Sequence, residues 1–221
     1  MPMHMRFKLA GIALTLGGLT AATCHLFSFE SSAEMSHMAN YACFAEPIHL
    51  VLFAGLLTVL LGWSEQSSLQ PSESGIVAPA AFVCLFLGII CGDLLHCVLE
   101  FSIFPVLGSM VPYALPGIAD ATYRSAALGT LIWAGQALMF LGGLAAAAST
   151  CRTRSHPHWA AAPLAFSAVL LGVGLFPQLA PAIRAAALPA LYVSMAVLGA
   201  SVFCARRTSR EVSPFAETAA K

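Results

Sequence analysis

Seven ionisable side chains lie inside or at the rim of three strongly apolar segments: His25 and Glu30, Glu46 and His49, then Asp93, His96 and Glu100. A charge at the centre of a membrane helix costs about 2.5–3.5 kcal/mol even on the mildest scales, so such groups usually face a bundle interior and mark a site. Asp93, His96 and Glu100 are spaced i, i+3 and i+7. At about 100° per residue, Asp93 and Glu100 fall within roughly 20° of one another, with His96 roughly 60° away. Glu46 and His49 repeat the i, i+3 spacing, and Pro47 between them suits a first helical turn.

Carboxylates and imidazoles together support three kinds of behaviour. They bind transition metals such as Zn, Fe, Mn or Cu, and the ligand set here would be His25, Glu46, His49, Asp93, His96 and Glu100. Glu46-x-x-His49 and Asp93-x-x-His96 are similar to half of the carboxylate-bridged di-iron pattern of helical bundles, but one acid is Asp and no fourth helix contributes. The histidines could instead be axial ligands of a non-covalent haem, since no Cys-x-x-Cys-His attachment motif is present. A second behaviour is proton-coupled transport, because Asp, Glu and His chains are the material of intramembrane relays. A third is purely structural: the groups pair across helices in an accessory subunit. The residue types alone leave all three open, and whether the chain is an enzyme is open with them.

The elements that must position these groups are helices. The chain is 59% hydrophobic and only 9% charged, against roughly 25% charged in soluble domains. Six apolar runs near 20 residues can be drawn: Leu9–Phe29, Phe44–Trp63, Ile76–Phe101, Ala126–Ser149, Ala160–Ala180 and Ala185–Ala205. None alternates with period two, as barrel strands must. The expected fold is all-α: one six-span transmembrane bundle over 1–205 and a cytoplasmic polar tail over 206–221. With six spans both termini share a side. That side holds Arg6, Lys8, Arg152, Arg154, Arg206, Arg207, Arg210 and Lys221, against Arg124 and Arg184 opposite. The positive-inside rule then places both termini in the cytoplasm and makes the chain a multi-pass membrane protein. The three acidic and histidine sets consequently share the outer half of the bilayer. A signal peptide is a rival reading of the first run, but that run continues past Cys24 to Phe29, which a signal peptide does not need.

Several further expectations follow from composition. The apolar, proline-containing stretch Ser102–Arg124 reads as a re-entrant or interfacial segment. Gly88-x-x-x-Gly92 offers a close-approach surface, expected to meet the first or second span. Spans four to six, with Gln136, Tyr192 and Ser194 but no Asp, Glu, Lys or His, read as scaffold. His156 and His158, flanking Pro157, read as solvated, Trp63 as an interface or packing aromatic, and Cys24–Cys43 as a disulfide pair where that side is oxidising. Expected partners are membrane lipid and a further membrane protein or second copy of the chain. The few scattered arginines exclude nucleic acid, and no phosphate-binding loop or nucleophile elbow is present.

The stretches Cys24-His25-Leu26-Phe27, Ala45-Glu46-Pro47-Ile48-His49-Leu50 and His96-Cys97-Val98-Leu99-Glu100-Phe101 resemble those of small six-span bacterial integral membrane proteins of uncharacterised function. The resemblance covers the first half of the chain. It implies a bacterial inner-membrane location and no particular activity.

Overall fold

The computed structural model describes residues 3–33, 46–68, 75–111, 114–153, 156–176 and 181–211. Glu30 and Glu46 lie in helices, but their side chains are outside the described set, as is Cys43 entirely.

Apolar sequence without alternation has one way to satisfy its backbone in a membrane, and the described residues are accordingly helical, with no strand. The helices are α1 (Met3–Ala33), α2 (Glu46–Ser68), α3 (Val77–Met110), α4 (Leu115–Tyr123), α5 (Ala126–Arg152), α6 (Ala161–Gly174) and α7 (Pro181–Glu211). Five of them, α1, α2, α3, α5 and α7, contain stretches long and apolar enough to cross a membrane. The expected fifth span is shorter than the other five. It is an apolar helix that ends at Gly174, and 177–180 lie outside the described residues. Two other bounds move outward. The third span runs on to Met110 instead of ending at Phe101, and α7 continues to Glu211, past the expected start of the tail.

The packing order is a ring: α2 on α1, α1 on α7, α7 on α6, α6 on α5, α5 on α3, and α3 back on α2. Lipid tails are as apolar as leucine, so close backbone approach and interhelical polar contacts hold such a ring together. Gly18 shows the tightness: a Cβ there would stand 2.5 Å from the Tyr192 carbonyl oxygen. Gly92 does enable a close contact, but with α5 and not with the first or second span. A Cβ on Gly135 of α5 would stand 2.4 Å from the Gly92 nitrogen. Leu14, Leu56, Leu85, Met139, Leu164, Leu191, Tyr192 and Met195 fill the interior and are fully buried.

Two interruptions in α3 matter for the site. The Leu95 N–H bonds to the Ile90 carbonyl and the Phe104 N–H to the Leu99 carbonyl, five residues back in each case. Ile90–Leu94 and Leu99–Ile103 are therefore π-helical turns. Such turns are rare and are found frequently at functional sites. One contains Asp93 and the other Glu100.

Candidate functional site

Asp93 sits in the first π turn of α3, 2% exposed. Its Oδ2 accepts from His25 Nε2 of α1 at 3.0 Å and from the Tyr192 hydroxyl of α7. The His25 and Tyr192 rings stack, with centroids 5.4 Å apart and planes 5° from parallel. Since α3 packs along α2 and α5, these bonds cross the bundle interior and tie three helices at one oxygen. A fully buried tyrosine hydroxyl must find a partner, and a carboxylate is the strongest acceptor available to it.

A second group adjoins the first. The Tyr123 hydroxyl lies 2.5 Å from Glu100 Oε1, to which it donates, and 2.8 Å from His96 Nδ1. With its one proton given to the carboxylate, the Tyr123 oxygen accepts from His96 Nδ1–H. The His49 ring meets the His96 ring edge-on at 5.4 Å. Both His49 and Glu100 are 5% exposed. His96 stands within electrostatic reach of Glu100, His49, Asp93 and His25, so the two groups form one continuous polar cluster. The cluster lies at the end of the bundle where α1 finishes and α2 begins.

Five of the six expected site residues thus come together: His25, His49, Asp93, His96 and Glu100. Glu46 opens α2, one turn from His49. The expected single stripe on α3 is divided. The π turns reset the register, so Asp93 serves His25 and Tyr192 while Glu100 serves Tyr123. His96 and Glu100 are joined through the Tyr123 oxygen. Among the described residues, no group of three or more His, Cys, Asp or Glu side chains is arranged to hold a metal ion. One oxygen of each carboxylate instead accepts from a phenol hydroxyl, Glu100 Oε1 from Tyr123 and Asp93 Oδ2 from Tyr192.

Sequence reasoning passed over the two tyrosines. Tyr192 belongs to the segment read as scaffold, and Tyr123 to the apolar stretch before α5. That stretch continues α3 to Met110 and then forms α4, whose last residue is Tyr123, so it carries a site residue over the cluster. A hydroxyl within an otherwise apolar segment was the available signal. The chain matches no family model, no curated protein and no solved structure, so site and fold rest on this chain's own residues.

Proposed function

We propose that the chain is a six-span protein of a bacterial inner membrane, with both termini cytoplasmic, and that its buried cluster is a proton relay serving proton-coupled transport. The eight-to-two distribution of Lys and Arg supports the orientation. The observation that carries the relay is one hydroxyl bridging an acid and a base: Tyr123 lies 2.5 Å from Glu100 and 2.8 Å from His96. With His96 as an imidazolium, its Nδ1 proton passes to the Tyr123 oxygen as Tyr123 gives its own to Glu100 Oε1, along the direction in which the two hydrogen bonds already run. The products are a neutral imidazole, a neutral phenol and a carboxylic acid, and the reverse transfer resets them. His49 and His25 place further imidazoles beside His96. Asp93 fixes the cluster by holding α1, α3 and α7 to one another.

Proton uptake into proteoliposomes, driven by an imposed potential and read with an internal pH dye, tests this. Tyr123→Phe and Glu100→Gln are expected to lower the protein-dependent rate roughly tenfold or more, the scale on which a positioned acid or base acts. Wild-type vesicles no more permeable than protein-free ones would reject the relay. So would folded variants with wild-type rates, which would leave the network a means of joining helices.

A further inference from the structure

The other end of the bundle holds a second buried polar group that the relay does not use. His156, expected in solvent, is 3% exposed. Its Nδ1 lies 2.9 Å from the Ser201 hydroxyl of α7, and its Nε2 is bonded to the Gln66 amide nitrogen of α2. Phe7 of α1 covers the ring, with centroids 6.0 Å apart. The proton positions follow in order. Ser201 donates to the Leu198 carbonyl at 2.7 Å, so its oxygen accepts from His156 Nδ1–H. His156 Nε2 is then bare and accepts from the Gln66 N–H. Burial pushes this imidazole down to about 4, which agrees with a neutral ring carrying its proton on Nδ1.

That arrangement leaves two atoms over. Gln66 Oε1 and Trp63 Nε1 are buried and have no hydrogen-bond partner among the described residues. Gln66 is 0% and Trp63 2% exposed. One is an acceptor and the other a donor, and at i, i+3 on α2 they share a helix face. Leaving each buried and unpaired carries the full desolvation cost of the group. A single neutral molecule that accepts one hydrogen bond and donates another satisfies both, and water is the smallest that does. We propose that this end of the bundle contains a structural water site, in which one water accepts from Trp63 Nε1–H and donates to Gln66 Oε1. The water completes a lock joining α2, the segment before α6 and α7.

The test is an NMR measurement on the full chain in micelles, with ¹⁵N-labelled tryptophan and with Trp133→Phe and Trp159→Phe, both exposed positions, leaving Trp63 as the reporter. The Trp63 indole N–H is expected to show a direct Overhauser contact at the water frequency and a downfield, hydrogen-bonded shift. Gln66→Leu should abolish the contact, and Gln66→Glu, which keeps an acceptor oxygen, should retain it. An indole proton with no water contact in the parent protein overturns the site. So does a contact that survives Gln66→Leu. Proton uptake that is absent in the wild type would reject the relay and leave the spectroscopic result to decide the water.

Discussion

Asp93 provides the sharpest energetic test of the interior. One buried oxygen, Oδ2, accepts from both His25 and Tyr192. Tyr192→Phe keeps the ring that stacks on His25 and fills the same space, so it removes the hydroxyl and little else. A hydrogen bond to a charged group contributes about 1.5–3 kcal/mol and a neutral one about 0.5–1.5. Tyr192→Phe should therefore cost about 2 kcal/mol when residue 93 is Asp and about 1 when it is Asn. The double-mutant cycle should give a coupling of about 1 kcal/mol or more. Ordinary interhelical hydrogen bonds in membranes average about 0.6 in the same kind of cycle, because the unfolded chain in the membrane also finds partners. The assay is reversible unfolding in mixed micelles of the four proteins, with helix content checked before each titration. A coupling at or below the ordinary average would refute the reasoning, since it would mean that Asp93 does not act as a charged acceptor for α7.

Other expectations concern separate parts of the molecule. His156 is held at about 4 by burial, below the ordinary imidazole value near 6.5. The unfolded chain therefore binds one more proton between those values, so stability should fall by about 3 kcal/mol as pH drops from 6.5 to 4. His156→Gln should remove that slope in the same unfolding assay, and an unchanged slope would mean that the ring is not buried and neutral. Gly135→Val would drive a side chain into the α3 backbone, where even a Cβ stands 2.4 Å from the Gly92 nitrogen. It should cost more than about 2 kcal/mol, and a melting temperature within a degree of wild type would contradict the α3–α5 contact. His25→Phe should preserve the stack on Tyr192 but leave Asp93 with one donor, lowering stability by about 2 kcal/mol; a neutral or stabilising result would show that the His25–Asp93 bond is not formed.

Composition and periodicity were enough to determine the class of this protein. Nothing but helices can satisfy the backbone of such long apolar segments, and ionisable groups in them must turn inward. The gathering of His25, His49, Asp93, His96 and Glu100 at one end follows from the same logic, because consecutive antiparallel spans bring the end of α1 beside the start of α2 and the far part of α3. Helical spacing alone, however, assumes an unbroken 3.6-residue turn. The two π turns break it, and they decide that Asp93 and Glu100 serve different partners. Tertiary structure also decided what no local window contains: Tyr192, 99 residues from Asp93, and Gln66, 90 residues from His156, are partners only because the ring closes. Hydropathy reports how greasy a segment is, not which hydroxyl or amide within it will face a buried charge. That choice is made by packing, where each polar atom removed from water has to find its partner in whichever helix stands opposite.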